Sequence, residues 1–376
     1  SELPVDPSSQ APAGFDESQR GAAGGFIGDP DVMDTWATSS LTPQIAGGWE
    51  RDPDLWQRVW PMDLRPQAHE IIRTWLFSTV VRAHLESDEL PWRHAAISGW
   101  ILDPDRKKMS KSKGNVVTPM DLLAEHGSDA VRYWAASGRP GTDTAFDVGQ
   151  MKIGRRLATK VLNASKFALG VFGDAPVIVD AAAVTAAVDR ALCAQLATLI
   201  NDATAAFEEY DYARALELTE RFFWMFCDDY IELVKERAYN GEPEDAASAR
   251  AALAATLSVV LRLFAPFMPF VTEEVWSWWQ EGSVHRQPWP TADEVSTAGG
   301  ESAVLSDAAA VLSLLRKAKS EAKVSMKAPI AHAEVTSTAE QLARIQSVAT
   351  DLAAAGAVAQ FSWAEGDQLA VSATLA

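Results

Sequence analysis

From Gln150 onward, apolar residues return every third or fourth position through four successive runs, and only packed helices can bury such a pattern. Ile153, Leu157, Val161, Ala164 and Ala168 form the first stripe. Val184, Val188, Leu192, Leu196, Leu199, Ala203 and Phe207 form the second. Phe222, Phe223, Phe226, Tyr230 and Leu233 mark a third run closed by Asn240-Gly241, and Leu253, Leu257, Val260, Leu261 and Phe264 a fourth that Pro266 and Pro269 end. The turns between them are short, so an antiparallel bundle is the expected packing. The aromatic stripes read as core.

The chain before Gln150 is patterned differently. Its first thirty residues are broken by Pro4, Pro7, Pro12, Gly14, Gly21, Gly24, Gly25 and Pro30, too often for an element of any length. A short mixed segment, Asp31 to Ser40, leads into a Trp-rich loop through Trp49, Trp56 and Trp60. Residues His69 to His84 then place Ile72, Trp75, Leu76, Thr79 and Val80 on one helical stripe. Ala95 to Leu102 has the length and content of a buried strand, and helices are expected from about Met120 and from Asp129. After the bundle, a Pro/Ser/Thr/Gly stretch reads as a linker. A helix over Leu305–Lys323, a strand over Ala331–Thr336, a helix over Ala339–Ala354 and strands around Phe361 and Val371 predict a small α+β domain.

Charge narrows the function. The formal net charge of −18 argues against a general nucleic-acid binder, so any polyanion site must be local. Three stretches qualify: Arg106 to Lys113, Lys152 to Lys166 with five basic residues and no acid, and Arg316 to Lys327 with five basic residues against Glu321. On the second, Lys152, Arg156, Thr159, Asn163 and Lys166 share a face that the core stripe leaves free, and Arg155 and Lys160 lie beside it. Cys193 and Cys227 are the only cysteines and fall in apolar helical stretches, which predicts core thiols, no metal site and a cytoplasmic setting. No apolar run approaches the ~20 residues of a membrane span, and no secretory signal is visible at the start.

The most informative local sequence is Lys108-Met109-Ser110-Lys111-Ser112-Lys113-Gly114-Asn115, on the loop that leaves the expected strand at its carboxyl end. In open α/β sheets nucleotides bind there. Lysines serve as mobile point charges for polyphosphate, hydroxyls assist them, and Gly114 permits close backbone approach. This order of residues resembles the signature loop of the class I aminoacyl-tRNA synthetases. Three further stretches extend the resemblance: Gly154 to Phe167, whose Asn163-Ala164-Ser165-Lys166-Phe167 resembles the valyl members; Leu263 to Trp276, similar to a helix pair of the valyl, isoleucyl and leucyl enzymes; and Asp31 to Ser40, which resembles a segment of the family's nucleotide-binding domain. The last seventy residues are more weakly similar to the C-terminal appendage of some valyl enzymes.

The resemblance implies roles residue by residue. Lys108 and Lys111 would bind ATP phosphates and stabilise the transition state of adenylate formation, Lys111 being the more critical. Met109, Ser110 and Ser112 would complete that ATP site, and Asn115 would hold the loop. Gln67 and Ala68 would lie against the ribose and adenine, and Trp36 and Trp75 would wall the amino-acid pocket. Lys152, Arg155, Arg156, Lys160, Asn163 and Lys166 would bind tRNA. Ala68 departs from the glycine of many relatives. The family's His-x-Gly-His motif and its inserted editing domain are both missing, so the expectation is the C-terminal portion of a longer enzyme, inactive without its N-terminal half. The implied fold is multidomain α/β plus α. A partial Rossmann-type catalytic domain would occupy residues 1–149, an antiparallel helical-bundle anticodon-binding domain 150–282, a linker 283–303 and a small α+β C-terminal domain 304–376. The implied reaction joins valine to its tRNA with ATP as substrate and Mg²⁺, by attack of the carboxylate on the α-phosphate and then esterification of the tRNA 3′ end. The alternatives are an isoleucyl enzyme portion and a non-catalytic tRNA-binding module.

Overall fold

In the computed structural model, residues 10–28, 35–110, 114–173, 175–297 and 299–376 are described. The chain divides into two units, Ser1–Gly99 and Trp100–Ala376. In the first, three short helices, α1 (Thr35–Ser39), α2 (Thr42–Ala46) and α3 (Pro53–Val59), precede strand β1 (Met62–Ala68), helix α4 (Phe77–Ser87) and strand β2 (Trp92–Ser98). β1 and β2 run parallel, with Met62 opposite Trp92 and Ala68 opposite Ser98. Parallel neighbours need a crossover, and α4 supplies it.

Three expectations for this unit are corrected. The helix read over His69–His84 is interrupted by a π-helical turn at Ile72–Leu76. The extra residue of such a turn rotates what precedes it, so Ile72 is exposed while Thr79 is fully buried. The Trp-rich loop contains α2 and α3. Asp52 caps α3 by accepting from the Leu55 N–H at 3.0 Å, with Pro53 at its first position. The buried strand read over Ala95–Leu102 is instead two strands in different sheets, broken at Gly99-Trp100, and residues 93–95 of β2 are exposed.

The second unit begins with β3 (Ile101–Leu102). Helices α5 (Pro119–His126) and α6 (Ser128–Ala136) follow, and then β4 (Thr144–Ala145) pairs parallel with β3. Next comes the helical mass: α7 (Val148–Gly170), α8 (Ala187–Glu208), α9 (Tyr212–Met225), α10 (Ile231–Asn240), α11 (Pro243–Phe264) and α12 (Pro269–Trp276). On α7 the buried positions are Met151, Gly154, Leu157, Val161, Ala164, Ser165 and Ala168, so the stripe is as expected except that Ile153 is only half-buried. Gly154 lies where a side chain's Cβ would come within 2.7 Å of Tyr133, and its absence lets α6 and α7 touch. α11 is long and apolar enough to cross a membrane by length and composition, but 89% of that window is buried inside the bundle. Both cysteines are buried thiols, pushed up to about 12 by desolvation.

The last segment comprises α13 (Ala303–Glu321), β5 (Ile330–Ser337), α14 (Ala339–Gln346), α15 (Ala349–Gly356), β6 (Phe361–Glu365) and β7 (Ala370–Leu375), with sheet order β6-β5-β7. The single helix expected over Ala339–Ala354 is thus two, and the core of this segment is continuous with the bundle's. Arg237 on α10 explains part of that union. It holds Asp189 of α8 through two hydrogen bonds of 2.8 Å, and its Nε donates to Asp351 of α15 at 2.9 Å. Tyr230 and Ser248 donate to the same fully buried Asp189. Desolvation opposes the charge on Arg237, but its carboxylate partners outweigh that and hold its pKa above the usual value.

Residues 283–303, read as a linker, are a strap laid on the bundle. Val284 and Val295 are buried, the Trp289 indole donates to Thr204 at 2.9 Å, and Glu294 receives Arg262 of α11 at 2.6 Å. Composition does not register the few side chains that anchor it.

Candidate functional site

The lysine loop grows out of β3. Asp103, directly after the strand, starts a tight turn: its backbone N–H donates to the Lys107 carbonyl at 2.9 Å, and its carboxylate accepts the Lys107 N–H at 2.7 Å. Across the neck of the loop the Asn115 amide donates to the other Asp103 oxygen at 2.8 Å and to the Lys108 carbonyl at 3.3 Å, while its oxygen accepts the Ser110 N–H at 2.9 Å. A backbone N–H can only donate, so the Ser110 contact fixes which way the amide points. The Lys107 N–H and the Asn115 amide lower the Asp103 pKa, which keeps it an acceptor. Lys108 carries its ammonium 4.4 Å from the Trp100 ring centroid. Gly114 has φ +66°, a left-handed conformation that suits glycine. Lys111, Ser112 and Lys113 lie outside the described residues. The structure therefore places Lys108, Met109, Ser110 and Asn115 on one closed loop, and adds Asp103 and Trp100, which sequence reasoning missed. The Asp103-Pro104-Asp105 turn sequence was the available signal for the first.

In the first unit Gln67 sits near the carboxyl end of β1, 7% exposed, with Oε1 unpartnered, and Ala68 ends the strand. Trp36 and Trp75 are drawn to one corner: the Trp75 indole donates to the Ser39 carbonyl of α1 at 2.7 Å. Trp36 lines a groove of about 450 Å³ with Phe77, Val81 and Leu85 of α4, whereas the Trp75 ring lies 3.2 Å under the Arg65 guanidinium, away from that groove's lining. Arg65, sandwiched between Trp75 and Trp92, has Nε and Nη2 unpartnered, and burial lowers its pKa. Asp31 to Asp34, the start of the segment that holds Trp36, lie outside the described residues.

On α7, Lys152, Arg155, Arg156, Lys160 and Asn163 border a shallow groove of about 480 Å³ together with Trp224 of α9. Arg155 donates to the Glu125 carbonyl at 2.8 Å and Lys160 pairs with Asp228 at 3.0 Å. Arg156 and Lys160 stand 5.8 and 5.6 Å from the Trp224 ring, and Lys166 stands 6.0 Å from that of Trp278. Nothing in the sequence sets Trp224 apart from the core aromatics around it. Its indole, fixed on Glu220 at 3.1 Å, is the flat wall of the groove. Cations beside an aromatic face suit a nucleic-acid backbone and its bases.

Residues 10–147 match the family of class I tRNA synthetases (I, L, M and V), and residues 189–336 match the anticodon-binding domain of tRNA ligases. The valine–tRNA ligase of Thermobifida fusca is 67% identical over 95% of this chain and 40% of its own length. Those of Salinispora tropica and Cutibacterium acnes are 60% and 57% identical, over 97% and 100% of this chain and 44% and 43% of theirs. The chain belongs to the valine–tRNA ligase family. It spans between 40% and 44% of the length of these curated relatives. Membership identifies the α/β part as a fragment of a class I catalytic domain and favours the valyl reading over the isoleucyl one. A ternary complex of Agrobacterium radiobacter LeuRS, tRNA and LeuAMS shares the fold, with a TM-score of 0.60 at 23% identity over 72% of this chain and 34% of that one. The basic face of α7, residues 152–166, falls between the two matched family ranges.

Proposed function

We propose that this chain is the portion of a valine–tRNA ligase that supplies the lysine loop for valine activation and the helical surface for tRNA. The observation that carries the reading is identity of 57–67% to valine–tRNA ligases along nearly the whole chain. On this reading Lys108 and Lys111 neutralise ATP phosphates, Met109, Ser110 and Ser112 line the same site, and Asn115 with Asp103 keeps the loop's neck closed. Gln67 and Ala68 face the nucleoside, and Trp36 and Trp75 bound the valine side chain. The α7 face takes tRNA phosphates. ATP enters as a substrate together with Mg²⁺, and the residues of this chain contribute through their cations and hydroxyls. The rest of the enzyme, the N-terminal half, supplies the remainder of the nucleotide site. The exposed α4 side chains Phe77 and Leu85, 62% and 78% accessible, are suited to receive it. The setting is cytoplasmic.

Valine-dependent pyrophosphate exchange tests the reading on the chain alone and on the chain mixed with the complementary leading part of the Thermobifida fusca relative. Exchange should be absent from the first and present in the second. In the reconstituted enzyme Lys111→Ala should cost on the order of 10²–10³ in rate, as removal of a preorganised charge donor does. A rate within threefold of the unsubstituted complex would remove Lys111 from the mechanism.

A further inference from the structure

The third basic stretch, Arg316 to Lys327, is not used by the reading above, and the structure divides it unexpectedly. Lys319 of α13 is only 2% exposed. Its ammonium donates to the Gly356 carbonyl at 2.7 Å, at the carboxyl end of α15, and to the Met326 carbonyl at 3.0 Å. A lysine has three donors, so one remains, and the two carbonyls, one of them at a helix end, bring partial negative charge but no formal counter-charge. Among the described residues no carboxylate forms an ion pair with it. Lys319 lines a cavity of about 370 Å³ that Lys235, Arg316 and Lys327 also border, against one carboxylate, Glu232. Glu232 is already shared between Lys235 at 2.8 Å and Arg316 at 3.6 Å. A concave, net-positive site in a chain of net charge −18 is a local reversal of field.

We propose that this cavity binds a phosphate group, with Lys319 as the buried donor at its floor and Arg316 and Lys327 at its rim. A buried cation without a counter-charge is costly, and an oxyanion supplies both the charge and the acceptor for the third proton. Desolvation lowers the Lys319 pKa, the cost that a bound anion would offset. The phosphate comes either from an RNA backbone or from a small polyphosphate, since the recognising chemistry is the same. Its lining shares no residue with the α7 groove, although Arg316 donates to the Asp228 carbonyl at 3.0 Å and the Asp228 carboxylate pairs with Lys160 of α7.

Calorimetric titration of the purified chain with sodium phosphate, sodium pyrophosphate and a valine tRNA transcript, at chloride-matched ionic strength, separates these sources. Lys327→Ala should weaken the cognate ligand about fivefold and Lys319→Met roughly tenfold or more, with Lys152→Ala/Arg156→Ala as the α7 control. If RNA is the source, Lys327→Ala also lowers the log–log salt slope by about 0.7–0.9 and adds to the α7 control. If a small anion is the source, phosphate or pyrophosphate affinity falls by those factors in the two cavity variants while tRNA affinity is unchanged. Should Lys319→Met lower the thermal midpoint too far to titrate, Arg316→Ala takes its place. Unchanged binding of all three ligands in the cavity variants overturns the proposal. Failure of tRNA to bind the unsubstituted chain would instead overturn the α7 reading, and the phosphate arm would still decide the cavity.

Discussion

The two units differ most in how completely they satisfy themselves. Among the described residues before Trp100, Ala83 and Trp92 are, prolines aside, the only buried apolar side chains, while Phe77, Leu85, Leu90 and Ile27 are more than half exposed. From Trp100 onward a single core runs from Tyr133 to Val358. One arginine from each unit, Arg65 buried and Arg237 mostly so, shows the same contrast. Arg65 rests between two indoles with two unpartnered nitrogens, whereas Arg237 spends its donors on Asp189, Asp351 and the Asp245 carbonyl. A sequence can therefore carry well-formed secondary structure without enough internal burial to offset its ordering entropy. The first unit has elements in search of a core, which agrees with its being part of a larger catalytic domain, and the second has a core of its own.

Replacing each arginine by methionine should break that comparison most sharply if it is wrong. Arg237→Met leaves Asp189 and Asp351 buried without their cation, and the second unit should lose about 3–5 kcal/mol. Arg65→Met removes a charge that has only aromatic faces as partners, and should change the first unit by less than about 1 kcal/mol. Denaturant unfolding followed by hydrogen exchange would resolve the units, with residues 10–99 opening first. Equal losses for the two substitutions would mean that the first unit is as well supported as the second.

What the sequence showed and what it hid divide along the same line. The α7 to α11 stripes were legible because helical burial is periodic, and the lysine loop because its chemistry is packed into consecutive residues. The Arg237 network was not, since its members lie 48 and 114 residues apart. Nor were the π-helical turns at Ile72–Leu76 and at Phe226–Tyr230, the second of which breaks the third stripe between α9 and α10, because their extra residues leave no mark on composition. Asn115 was expected to hold the loop, but its partner Asp103, twelve residues earlier, was not legible until the fold joined them. Nothing in the basic stretch Arg316 to Lys327 set Lys319 apart, because burial of a single ammonium depends on where α15 ends.

Close packing within the second unit supports a sharper test. Alanine is the better helix former, so Gly154→Ala would by propensity alone stabilise α7 by nearly 1 kcal/mol. The added Cβ would instead meet Cβ, Cγ and Cδ1 of Tyr133 at 2.7–2.8 Å, the stem of that side chain rather than its free end. Tyr133 is also held by its hydroxyl, which donates to Glu220 at 2.7 Å, so it has little room to yield. Overpacking should win, with a net loss of about 1–3 kcal/mol in thermal or denaturant unfolding. A gain in stability would show that α6 can move away from α7 and that this core is looser than its burial implies.

The smallest effect concerns the strap over residues 283–303, the part of the second unit that most resembles the first in its irregular backbone. Glu294 is 38% exposed and pairs with the buried Arg262. Burial alone would raise its pKa, but the hydrogen bonds from Arg262 and Thr291 prevail and lower it. A carboxyl depressed in the folded state contributes stability that is present above its unfolded value and is lost as pH falls through the folded one. Glu294→Gln should therefore cost on the order of 0.5 kcal/mol near neutral pH, discounted for solvent screening. The difference from the unsubstituted chain should shrink as pH is lowered through the acid side of the ordinary glutamate range. Thermal midpoints measured for both chains across that range check the sign. A gap that stays constant with pH would assign the strap's attachment to Trp289 and Val295 rather than to the ion pair.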